Sequence, residues 1–105
     1  MSLFSDIRLY DRFYRYCKYN GSYKELEWLI ACEAGYSYFY ARNVINGRFK
    51  KGEDAIASEA SWSYYYAKKI IGGRWKKGED AIIRDKLFRS SYNVFLEGIG
   101  HEEPI

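Results

Sequence analysis

Residues 37–56, SYFYARNVINGRFKKGEDAI, return at 63–82 as SYYYAKKIIGGRWKKGEDAI, 26 residues later and identical at 14 of 20 positions. A weaker copy occupies 11–30. Tyr14, Tyr40, Tyr66 and Tyr92 keep step with this period, as do Gly21, Gly47 and Gly73. Glu27, Glu53 and Glu79 do the same, followed by Ile30, Ile56 and Ile82. A fixed period of this length is the mark of a repeat architecture. A residue present in every copy is suited to joining copies, whereas chemistry is done once, at one site.

Each copy reads as two short helices. No Gly or Pro interrupts 60–71, ASWSYYYAKKII, and Gly72–Gly73 closes it with residues that accept the left-handed conformation past a helix end. Asn46–Gly47 closes 34–45 and Asn20–Gly21 closes 8–19 in the same way. Tyr10, Tyr36, Trp62 and Phe88 open these helices. The tyrosines at 14, 40, 66 and 92 lie four residues on, and Val44, Ile70 and Leu96 four further. A ladder at i, i+4 and i+8 is one helical face and is read as core. Tyr38 and Tyr64 fall off that face and are read, with Tyr16, Tyr19 and Tyr23, as partly exposed.

The second half of the repeat, RFKKGEDAIASE or RWKKGEDAIIRD, gives short helices near 49–58 and 75–84, with Phe49 and Trp75 aligned to Tyr23. Gly52 and Gly78 weaken them by about 1 kcal/mol each relative to Ala, and permit close approach of a neighbouring helix. Asp85 is an N-cap for a last helix near 86–97, KLFRSSYNVFLE. Tyr and Phe also favour strands, but the spacing of four and the Gly and Asn stops exclude that reading. The expected fold is all-α. It is a short α-solenoid-like stack of three helix-pair repeats (about 8–33, 34–59 and 60–85) with a C-terminal capping helix (86–97) and a tail (98–105), all in one domain over 1–105.

Composition agrees with one small domain. Twelve Tyr, six Phe and three Trp supply buried area that Leu usually provides, and the single proline is Pro104. No apolar run reaches membrane-spanning length, and the opening MSLFSDIRLYDRF carries early charges and no apolar signal core. No membrane partner is expected, and the expected location is the cytoplasm. Cys17 and Cys32 lack metal or redox spacing and read as reduced apolar fillers. His101, the only histidine, reads as a solvated tail residue.

The pattern Y-x-Y-A-x-x-V/I-I-x-G-R-F/W-x-x-x-E-x-x-I resembles short repeats of small phage proteins and a few bacterial ones. Their common form is similar to YA…GRWPEAE…I, and Lys50 and Lys76 stand where those repeats carry Pro. The resemblance covers 37–56 and 63–82, reaches 11–30 weakly, and covers 89–97 through the first half-repeat. It implies a phage or prophage origin and a small protein that acts on a host component in the host cytoplasm. It brings no catalytic activity.

Two groups of residues remain as candidates for function. Glu53 and Glu79 with Arg48 and Arg74 recur one repeat apart, which gives a ladder of ion pairs rather than two carboxylates facing each other across a substrate cleft. They are read as structural. No phosphate loop, nucleophile–base pair or zinc cluster is present, so neither an enzyme nor a cofactor is expected. Charge is the other clue. Residues 42–77 hold nine basic side chains, Arg42, Arg48, Lys50, Lys51, Lys68, Lys69, Arg74, Lys76 and Lys77, against the three acids Glu53, Asp54 and Glu59. Stacking would align Lys50–Lys51 with Lys76–Lys77 as a basic stripe. Lysines at a helix start oppose the macrodipole, so their repetition points to use, although a solvated face would look the same. Two readings stand. The first is a non-enzymatic protein-binding module, a phage-encoded inhibitor of a host or defence protein, that meets an acidic or aromatic-accepting surface through these cations and Tyr38 and Tyr64. The alternative is a nucleic-acid-binding module that uses the stripe. Self-association is compatible with either.

Overall fold

The computed structural model of the chain describes residues 7–21 and 24–105. Tyr23, expected in register with Phe49 and Trp75, lies outside them. Among the described residues there are helices and no strands. Helix α1 spans Ile7–Asn20. Helix α2 is a 3-10 turn, Lys24–Leu26, running into Glu27–Ile30. Helix α3 is Ala34–Tyr40 continued by a π-helical turn, Ala41–Ile45. Helix α4 opens as a 3-10 turn, Lys50–Gly52, and continues as Glu53–Ala57. Helix α5 is Ala60–Tyr66 with a second π turn, Ala67–Ile71. Helices α6 and α7 are Lys76–Ile83 and Lys86–Gly98.

The long helices start alike. Glu33, Glu59 and Asp85, 26 residues apart, all have extended backbone before α3, α5 and α7. The Glu33 carboxylate accepts from the Tyr36 amide at 2.8 Å, and Asp85 accepts from the Leu87 and Phe88 amides at 3.0 and 3.2 Å. Each satisfies amides that a helix start leaves unpaired. The ends differ in detail. At α1 the left-handed residue is Gly21 (φ 90°), but after the π turns of α3 and α5 it is Asn46 (φ 59°) and Gly72 (φ 73°), one register position earlier than Gly21.

Helices α1, α3, α5 and α7 pack side by side as one layer, and α2, α4 and α6 form the second. Each second-layer helix lies against the long helix before it and the long helix after it. The body measures 42 × 28 × 17 Å. Between the layers lie Tyr40, Tyr66 and Tyr92 with Ile30, Ile56 and Ile82, all fully buried. Among the described residues no helix is long and apolar enough to cross a membrane.

The helices touch through small residues, across the repeat boundaries as well as within a repeat. Ser37 and Ser63 donate to the carbonyls of Ile30 and Ile56 at 2.9 Å. A Cβ on Gly52 would lie 2.5 Å from Ser37 Oγ, and one on Gly78 would lie 2.8 Å from Ser63 Cβ. The helix-weakening glycines are therefore the points of closest approach of α4 to α3 and of α6 to α5. Gly52→Ala or Gly78→Ala should lower stability by about 1–3 kcal/mol, the usual cost of overpacking. Gly47→Ala, whose Cβ would meet nothing within 4 Å, should cost far less. Urea unfolding midpoints of the three variants check this.

Candidate functional site

The repeated glutamates are all engaged; Glu27 and Glu53 are buried and Glu79 is half-buried. Tyr66 donates its hydroxyl to Glu53 Oε2 at 2.6 Å and accepts from the Phe49 amide at 3.0 Å. Arg48 grips the same carboxylate with two bonds of 2.8 Å, from Nε to Oε2 and from Nη2 to Oε1. One repeat on, Tyr92 donates to Glu79 Oε2 at 2.8 Å and accepts from the Trp75 amide at 2.9 Å, while Arg74 Nε bonds Glu79 at 2.9 Å. One repeat back, Tyr40 donates to Glu27 at 2.7 Å, but the cation is Lys51 Nζ at 3.1 Å. The chain carries Ser22 where Arg48 and Arg74 stand, so the next repeat supplies the charge. In every case the tyrosine comes from the repeat after the glutamate. Tyr14 has no such glutamate partner among the described residues and is only half-buried; its hydroxyl accepts from Asn43 Nδ2 at 2.8 Å. Among the described residues no buried side-chain polar atom lacks a partner, and no cluster of three or more His, Cys, Asp or Glu could hold a metal ion.

These bonds shift the titrations. Burial works against the charged form of Glu53, yet the hydrogen bonds from Arg48 and Tyr66 outweigh it and hold its carboxyl below the usual range. Burial, reinforced by the bond to Glu53, pushes the Tyr66 phenol well above its ordinary 10.0. Burial does the same to Tyr92, with Glu79 beside it.

The outer side of the α1–α3–α5–α7 layer carries a continuous band of rings. Tyr38 meets Trp62 at 5.4 Å between α3 and α5, and Tyr64 meets Phe88 at 5.8 Å between α5 and α7. Above these seams sit Phe39, 5.5 Å from Trp62, and Tyr65, 6.1 Å from Phe88. Phe39 and Tyr65 are 36% and 39% exposed. They share one register position, and the period alone did not mark them. Tyr38, read from sequence as partly exposed, is only 3% exposed because Trp62 and Tyr65 of the next repeat close over it. Tyr64 is half-buried. Tyr36, Trp62 and Phe88, expected in the core, are also half-buried, since they line seams open to solvent on one side. Tyr16 and Tyr19 are exposed, and so is Cys32, which is no core filler. Its thiol bonds the Trp28 carbonyl instead.

The cations divide between the two layers. Arg42 bonds the Tyr38 hydroxyl at 3.3 Å, and Lys68 lies over the Tyr64 ring, 5.7 Å from its centre. Lys69 shares a shallow cleft with Arg42, Asn46 and Ile70. In the second layer two lysines of the expected stripe meet acids. Lys51 is paired to Glu27, and Lys77 to Asp54 at 2.6 Å. Lys50 and Lys76 are exposed, with no ion pair among the described residues. Comparison of the chain with protein families, with curated proteins and with solved structures gives no match.

The glutamate sites fix a pH profile. Glu53 is depressed in the folded state, so its stabilisation is complete above the ordinary 4.5 and is lost as pH falls through the folded value. Tyr66 and Tyr92 are raised, so theirs is complete below 10.0 and is lost as pH climbs above it. Tyr66→Phe should cost about 1–3 kcal/mol near neutral pH, because it leaves a buried carboxylate and the Phe49 amide short of a partner. It should also flatten the alkaline limb of the urea midpoint plotted against pH.

Proposed function

We propose that this chain is a non-enzymatic protein-binding module, and that the band around Phe39, Trp62 and Tyr65 is its binding face. The exposed, contiguous rings of that band carry the reading. Neighbouring aromatics offer large contact area at small entropic cost, and Trp, Tyr and Arg dominate binding hot spots. Arg42 and Lys68 lie against the phenols of the band, so the surface suits a partner that brings acidic groups around an apolar centre. The resemblance of the repeats to those of small phage proteins supports a role as a phage-encoded inhibitor of a host or defence protein, acting in the host cytoplasm. The pairing of Lys51 and Lys77 to acids weighs against the nucleic-acid alternative, because it sets Glu27 and Asp54 within the stripe that reading needs.

Affinity capture from host lysate tests the proposal, run with and without nuclease and with a Phe39→Ser, Tyr65→Ser double variant. The expected result is a protein that survives nuclease treatment and whose affinity for the double variant falls by about thirtyfold or more, as hot-spot loss requires. Tight binding to arbitrary DNA or RNA at physiological salt would overturn it, if that binding falls steeply with salt and disappears when Lys50, Lys51, Lys76 and Lys77 are reversed to Glu.

A further inference from the structure

Four cations converge on one cleft where α2 meets the start of α4. Lys24 and Glu27 of α2, Ile45 at the end of α3, Arg48 and Phe49 after it, and Lys50 and Lys51 of α4 line an open hollow of about 310 Å³. Two of the cations are held in place by buried carboxylates. Arg48 spends Nε and Nη2 on Glu53, which leaves Nη1 over. Lys51 gives Glu27 one bond of 3.1 Å, and an ammonium has further protons to donate. The other two, Lys24 and Lys50, are exposed and have no ion pair among the described residues. Set against Glu27 and Glu53, the four cations leave a surplus of two positive charges.

One repeat on, the register positions of Arg48 and Lys51 are Arg74 and Lys77. There the spare donors are taken. Arg74 Nη1 donates to the Glu103 carbonyl at 3.0 Å, and Lys77 pairs with the exposed Asp54 at 2.6 Å. The copy beside Lys24 is the one left open. A phosphate monoester matches it. Near neutral pH such a group carries about −1.5 to −2 charge and three acceptor oxygens, so it offsets the surplus and takes charge-assisted hydrogen bonds from Arg48 Nη1 and the lysines. The phosphodiester of a nucleic-acid backbone brings a single charge per phosphate and leaves half of the surplus unanswered. The hollow has the volume of a small-ligand site, and Ile45 and the buried Phe49 offer apolar contact beside the cations.

We propose that this cleft binds a small organic phosphate monoester, with Lys24, Arg48, Lys50 and Lys51 around the phosphoryl oxygens and Ile45 and Phe49 against the carbon body. The cleft shares no residue with the aromatic band, and its test does not depend on that surface.

The probe is phenyl phosphate, titrated into the full chain near neutral pH and followed by amide shifts in proton–nitrogen correlation spectra. Saturable shifts should centre on residues 24–27 and 48–51. Methyl phenyl phosphate, the same body with one charge removed, should bind about threefold weaker or more. Lys24→Gln and Lys50→Gln should each weaken phenyl phosphate by about threefold, and together by about tenfold, with helicity by circular dichroism unchanged. Lys76→Gln, at the register position of Lys50 but outside the cleft, should leave the affinity as it is. The proposal is overturned if the diester binds as well as the monoester, or if Lys76→Gln weakens binding as much as Lys50→Gln does. It is equally overturned if inorganic phosphate matches phenyl phosphate, or if oligothymidylate or a glycine-flanked phosphotyrosine peptide binds the cleft more tightly.

Discussion

A tyrosine hydroxyl reaching back to a buried glutamate of the preceding repeat is the interaction on which the rest of this structure depends. A carboxylate taken out of water is costly unless every lone pair finds a donor. Glu53 finds them in Arg48 of its own repeat and Tyr66 of the next. The same hydroxyl accepts from the Phe49 amide, so one side chain satisfies a charge and a main-chain donor together. Neither repeat can close this site alone. Removing the later one would leave an arginine–glutamate pair short of its third partner and an amide with none. The motif thus welds helix pairs too small to bury a core by themselves into one body.

Placing Tyr40, Tyr66 and Tyr92 between the layers has a consequence on the outside. The long helices still have to pack against each other, and they do so through a second set of rings, Tyr38 on Trp62 and Tyr64 on Phe88. Rings in such a seam leave the position above it half open, and Phe39 and Tyr65 occupy it. The surface assigned to binding is therefore built by the requirements of inter-repeat packing, with Arg42 and Lys68 lying against the phenols of its own seams.

Much of the framework was legible in the chain. The uninterrupted run 60–71 with its Gly72–Gly73 stop, the spacing of four from Trp62 to Tyr66 to Ile70, and the cap at Asp85 are local signals, and each corresponds to an element. The meeting of Arg48 with Glu53 is also local, five residues apart. The partner of Glu53 across the repeat boundary was not legible. A period of 26 says that Glu and Tyr both recur, but the offset of 13 that joins them depends on how one helix is rotated against the next. The reading of Tyr38 as partly exposed failed for the same reason. Adjacent aromatics on a helix point 100° apart, and only the position of the following helix decides which is covered. The acids beside the lysine stripe were not legible either, because sequence shows like charges in register but hides the acid of the neighbouring repeat, as Asp54 is for Lys77.

The most direct measurement is a double-mutant cycle across the repeat boundary, with Tyr66→Phe and Glu53→Gln made singly and together and stability read from urea unfolding. If the hydroxyl–carboxylate bond welds the repeats, the two losses are coupled by about 1–3 kcal/mol, as for residues sharing one buried network. Losses that add to within about 0.5 kcal/mol would show two side chains that do not depend on each other, and would contradict the account.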